Sequence, residues 1–201
     1  MDTYPAGTVR ALLDTEAVTE PTRAALRARL AQPAVSTPAF LSEAEFATLR
    51  AICARLLPGS GSGPGSDIDV AGPMDARLAG GGGDGWRYDA LPADGEACRR
   101  GLSGFDEAAR AGFGAEFASL PPDAQDAVLL AVQRGEAAGE TWRSLPPARF
   151  FEELLAEATE TYVAHPLAQE AIGYAGMADA LGWTRVGLDE REPREPVAQR
   201  G

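Results

Sequence analysis

Apolar residues recur at helical spacing through most of the chain, most clearly between Phe150 and Tyr162. Phe151, Leu154, Leu155, Ala158 and Tyr162 fall on one stripe, the pattern of a helix with one buried face. Pro146 and Pro147 stand where proline is tolerated in a first turn. Pro166 ends the pattern and biases His165 away from helical geometry. A second strong helix is expected from Phe40 to Leu57, with Phe46, Leu49, Ile52, Cys53 and Leu56 inward and Ser42 with Glu45 as a capping box. A third runs from Asp94 to about Phe113, burying Ala97, Leu102, Phe105, Ala108 and Ala109. Gly101 and Gly104 each cost it about 1 kcal/mol of helix propensity and allow a break. A fourth opens at Pro122, turns Val128, Leu129 and Val132 inward, and closes on Gly135. Shorter helices are expected from Thr19 to Leu30, with Ala25, Leu26 and Leu30 apolar, and after an Asp67 cap, carrying Ile68, Val70, Met74 and Leu78. No stretch alternates as a strand bounded by hairpin turns would. The expected fold is all-α, a single compact helical domain of about five or six helices.

The segments between these helices differ in kind. Gly59 to Ser66 and Gly80 to Gly85 are glycine-rich loops, the second leading into Trp86 and Tyr88. Beyond Pro166 the chain is dense in glycine and rings, with Gly173, Tyr174, Gly176, Gly182 and Trp183. It reads as an irregular, ordered C-terminal segment rather than a helix. The expected organisation is an arm with a short helix over residues 1–38, a helical domain over 39–187, and a charged, flexible tail over 188–201.

Composition narrows the function. The formal net charge of −12 opposes binding to nucleic acid or to anionic membranes. No apolar run approaches the length of a membrane span. The start of the chain shows no basic, apolar or twin-arginine export pattern, so a cytoplasmic location is expected as written, with export alongside a partner left open. All 18 basic side chains are arginine. Lysine-dependent phosphate loops, Schiff bases and pyridoxal phosphate attachment are therefore excluded in their usual forms. Cys53 and Cys98 are too few and too far apart for a disulfide framework or a zinc site, and Cys53 reads as a buried small hydrophobe.

Candidate chemistry is sparse. Gly80, Gly82 and Gly85 fit G-x-G-x-x-G, but the dinucleotide fingerprint needs a preceding strand and a following helix. A surface loop accounts for them better. His165 is the only histidine. It has no ligand at helical spacing, since Glu160 lies five residues away, and no serine in a nucleophile-elbow context. Glu153, Glu157 and Glu160 share a helix face, which reads as solvated. An enzyme using His165 with a carboxylate such as Glu160 is one alternative, and a self-associating structural protein is another. Tyr162, Tyr174 and Trp183 either close the chain's own core or anchor a protein interface, where such rings are enriched. The residues alone do not separate these two.

Several stretches occur together in order: FLSEAEFATLRAICARLLP; GPG at 63–65 before a helix ending ARL; Trp86 and Tyr88; RRGLSGFDEAARAGFGAEFASLPPDAQDAVLLAV; FFEELLAEATETYVAHP; and IGYAGMADALGW. Over about residues 40–187 this resembles the gluconate 2-dehydrogenase subunit 3 family. The resemblance implies a small, non-catalytic accessory subunit that stabilises a large flavoprotein dehydrogenase of the glucose–methanol–choline (GMC) type. FAD would then sit on that partner, which oxidises a sugar, sugar acid or other alcohol, and this chain would hold no cofactor or metal. Docking is expected through Tyr162, His165, Pro166, Ile172, Gly173, Tyr174 and Trp183. The chain departs from the family pattern in lacking a twin-arginine signal and in placing Pro121 where a capping hydroxyl is usual.

Overall fold

A computed structural model describes residues 8–57, 68–81, 83, 90–174, 185 and 187–192. Among these the protein is all-α, with eight helices: α1 Thr8–Leu12, α2 Glu20–Ala31, α3 Glu43–Leu56, α4 Ala71–Ala79, α5 Asp94–Phe113, α6 Pro122–Arg134, α7 Pro147–Val163 and α8 Pro166–Ala171. Two short 3₁₀ turns lie at Phe117–Ser119 and Thr141–Arg143. The chain divides into two compact units, Ala34–Tyr162 and a second one built from Met1–Pro33 together with Val163–Gly201.

In the larger unit α5 packs against α3, α6 and both 3₁₀ turns. Its predicted inner residues Ala97, Leu102, Phe105, Ala108 and Ala109 are all buried. Phe105 meets Phe117 and Trp142 edge to face at centroid distances of 5.5 and 5.9 Å, and Phe150 tilts against both Phe105 and Trp142. Such ring pairs add directional preference to area burial. Gly101 and Gly104 are buried within an unbroken α5, so the break they allowed does not occur. A side chain at Gly101 would enter the Phe150 ring, and one at Gly104 would enter the Trp142 indole. The indole Nε1 donates to the Gly104 carbonyl at 3.1 Å. These glycines are seats for rings.

Carboxylates complete the joints of this unit. Ser42 and Glu45 form the expected capping box at the start of α3. Asp75 on α4 is 1% exposed. It accepts the backbone N–H groups of Ala39, Phe40 and Leu41 at 2.6 to 3.3 Å, fixing the entry to α3. Asp106 accepts from the Phe117 N–H at 3.0 Å, and Glu107 accepts from the Thr141 N–H and hydroxyl at 2.9 and 2.8 Å. Burial pushes the Glu107 carboxyl up, but the Thr141 hydrogen bonds and nearby Arg110 outweigh it and hold the group below its ordinary value.

The start of α4 differs from expectation. Asp67 lies outside the described residues, and Ile68 and Val70 precede the helix, which begins at Ala71. Asp69 serves instead, accepting from the Gly72 N–H at 3.0 Å and from the Val35 N–H at 2.8 Å. The α7 carboxylates are not a bare solvated row. Glu157 pairs with Arg77 at 2.7 Å, Glu153 pairs with Arg149, and Glu160 is exposed. Cys53 and Cys98 are buried free thiols, and burial pushes each up to about 12, so neither is a reactive thiolate near neutrality.

Candidate docking surface

The smaller unit is organised around α8, an element the glycine and aromatic density of the sequence conceals. His165, preceding a proline, is extended at φ −85° and ψ 133°. From there its imidazole Nδ1 accepts the Leu167 N–H at 3.3 Å and caps the helix. Pro166 occupies the first turn, where no N–H is needed. At the other end Gly173 adopts a left-handed φ of 72°. Its N–H donates to the Glu170 carbonyl at 3.1 Å, and the Tyr174 N–H donates to Gln169 at 2.8 Å. This is a Schellman closure, for which glycine is the favoured residue. Histidine–proline before the helix and glycine after it were the signals available in the sequence.

Two contacts fasten α8 to the N-terminal helices. Glu170 is buried and accepts three hydrogen bonds from Arg10, from the backbone N–H, Nε and Nη2, at 3.0 to 3.1 Å. One carboxylate thus binds a guanidinium side on and satisfies a first-turn amide of α1. Arg29 of α2 donates to the Ala164 carbonyl at 2.9 Å. Val9, Leu13, Val18 and Leu26 form a small apolar cluster with Leu12 and Leu30 beside it. Arg23 donates to the carbonyls of Leu13, Thr15 and Val18 and holds the turn between α1 and α2.

Held this way, the end of α8 presents apolar side chains outward. Ile172 is 58% exposed and Tyr174 46% exposed. The other expected docking residues divide differently. Tyr162 and Pro166 are buried, His165 and Gly173 are half-buried, and Trp183 lies outside the described residues. The Gly82 and Gly85 positions of the glycine loop, with Trp86 and Tyr88, also lie outside them.

His165 is committed to structure by its cap. Burial pulls its imidazole below the ordinary 6.5, the Arg29 charge acts the same way, and a hydrogen bond with the Arg29 backbone opposes them. The cap needs an unprotonated Nδ1. Because the folded value lies below the unfolded one, the unfolded chain takes up the proton first as pH falls. The contribution of the neutral ring is therefore intact above about 6.5 and is lost as pH drops below that, through the folded value. An NMR titration of this single histidine should give a midpoint below 6.5. A midpoint at or above that value would remove the neutral cap.

Among the described residues no group of three or more His, Cys, Asp or Glu is placed to hold a metal ion, and no helix is long and apolar enough to cross a membrane. The described carboxylates of the core act as caps and acceptors, and the exposed end of α8 offers apolar contact. These features define an all-α helical protein. The family described as gluconate 2-dehydrogenase subunit 3 matches residues 43–188, and the chain belongs to that family. Among curated proteins and among solved structures nothing matches.

Proposed function

We propose that this chain is the non-catalytic small subunit of a complex whose large subunit is an FAD-dependent oxidoreductase of the GMC type, acting on a sugar, sugar acid or other alcohol. The single observation carrying this reading is the family match, which covers residues 43–188 and names a dehydrogenase subunit. The geometry is in keeping with it. Ile172 and Tyr174 stand on a capped and clamped support, so a partner gains their burial with little ordering cost. FAD belongs to the partner in this reading, and the small subunit stabilises it by binding only its folded form.

Co-expression with an FAD-dependent GMC-type dehydrogenase from the same genome, followed by size-exclusion chromatography, tests the proposal. The two chains should elute together with the flavin absorbance. Failure to co-elute sinks the proposal. Replacing Ile172 and Tyr174 together by alanine should weaken the complex by about 2–3 kcal/mol, since a few aromatic and aliphatic anchors dominate most interfaces. The far-ultraviolet circular dichroism should not change. Loss of helicity instead would mean that these side chains serve the chain's own packing.

A further inference from the structure

The larger unit carries a second apolar feature, separate from α8. A groove of about 310 Å³ is walled by Ala108, Ala111 and Gly112 on α5 and by Ala127 and Ala131 on α6. Phe113 lines its edge and is 49% exposed, and Leu130, on the neighbouring position of α6, is 42% exposed. Small side chains on both walls leave a trough where two helices would otherwise close on each other. Its lining presents no convergent polar side chains of the kind that orient a small ligand. An apolar side chain from another protein suits it better. Singly exposed hydrophobic residues are ordinary, so neither Phe113 nor Leu130 argues alone.

Charge supplies the second observation. Ala127, Ala131 and Arg134 follow one another at i, i+4 and i+7 and so share a face of α6. Arg134 is exposed. Among the described residues, every other arginine has an ion pair, a hydrogen bond or a ring contact. Arg134 has none. The chain carries a net charge of −12, and the one guanidinium without a partner among the described residues stands a helical turn from the groove. The α6 C-terminus favours a cation there but leaves the fork of donors unused, and a carboxylate is the group that fits it.

We infer that this groove is a docking site for a segment of the companion flavoprotein subunit that presents a bulky apolar side chain and a carboxylate about one helical turn away. The apolar side chain fills the trough between α5 and α6 beside Phe113, and the carboxylate pairs with Arg134. This deepens the proposed function and rests on it.

The test uses the full-length chain co-expressed with the flavoprotein, with affinity measured by titration calorimetry between the separated subunits. Ala131→Trp fills the groove, and Arg134→Glu reverses the charge. Each should weaken binding by about tenfold or more while thermal melting stays that of the wild type. Arg134→Ala should also flatten the salt dependence of the affinity, a readout that a purely structural arginine would not move. Should Ala131→Trp melt early, Ala127→Trp, at an exposed position lining the same groove, carries the same expectation. Wild-type affinity in both groove variants overturns the inference while leaving the companion in place. A loss with Ala131→Trp but none with Arg134→Glu overturns the carboxylate. A homodimer of the isolated chain that Ala131→Trp disrupts overturns the choice of occupant. No complex with the unaltered chain ends both this inference and the functional reading beneath it.

Discussion

Asp75→Ala is expected to lower the unfolding free energy by about 3–4 kcal/mol, the largest effect of any polar substitution among the described residues. Asp75 is 1% exposed and takes three consecutive backbone N–H groups, those of Ala39, Phe40 and Leu41. A hydrogen bond to a charged acceptor contributes about 1.5–3 kcal/mol net, and a buried donor left without a partner costs about 1–3 kcal/mol. Ala39 is exposed and can turn to water, but Leu41 is buried, so at least one amide is stranded. The loss is large beside a total stability of about 5–15 kcal/mol. Asp75→Asn separates shape from chemistry. It keeps the volume but swaps one acceptor oxygen for a donor that must face an N–H, so about 2 kcal/mol should still be lost. Urea denaturation measures both. Hydrogen exchange at residues 39 to 41 should quicken in the variants ahead of exchange in the middle of α5. An asparagine variant within about 0.5 kcal/mol of wild type would mean that the three amides do not depend on the carboxylate.

That cradle also marks the limit of what the sequence disclosed. Signals confined to a few residues were legible. Ser42 and Glu45 announced the cap of α3, Pro122 and Gly135 bracketed α6, and the buried faces of α5 and α6 followed from spacing alone. Long-range acceptors were not, because nothing near Asp75 in the chain points to amides 34 to 36 residues earlier, nor anything near Glu170 to Arg10, 160 residues away. The same holds for Arg134, whose significance is that it lacks a partner, a property only the folded chain possesses. The miss at α8 has a different cause. Its signals were local and present, in His165, Pro166 and Gly173, but glycine and aromatic density outweighed them, although glycine is what a helix end of this type requires. Of the expected docking residues, the separation of exposed Ile172 and Tyr174 from buried Pro166 depends on how α1 and α2 pack on α8. No periodicity within 162–174 encodes that.

The glycines of α5 yield the second large expected effect, because propensity and packing predict opposite signs there. Glycine to alanine inside a helix ordinarily stabilises by about 1 kcal/mol. At Gly101 the new methyl group would occupy the space of the Phe150 ring, and at Gly104 that of the Trp142 indole. Neither ring has somewhere to go. Phe150 and Trp142 are both buried and pack against Phe105 and each other, and the indole is tethered by its hydrogen bond to the Gly104 carbonyl. Overpacking of a filled core costs about 1–3 kcal/mol or more, and two rings held in one cluster put these sites at the upper end. Gly101→Ala and Gly104→Ala should each therefore destabilise by about 2–3 kcal/mol net, lowering the melting temperature by roughly 5–10 °C for a chain of this size. Gly112 supplies the internal control on the same helix. Nothing lies within 4 Å of where its Cβ would stand, so Gly112→Ala should keep the propensity gain and raise stability by up to about 1 kcal/mol. A compensating change settles the cause. Phe150→Leu removes the ring tip that a methyl group at Gly101 would strike, so the double variant should lose less than the sum of the two single losses. Destabilisation that is strictly additive, or a Gly101→Ala variant that melts higher than wild type, would show that the ring is not seated on that glycine.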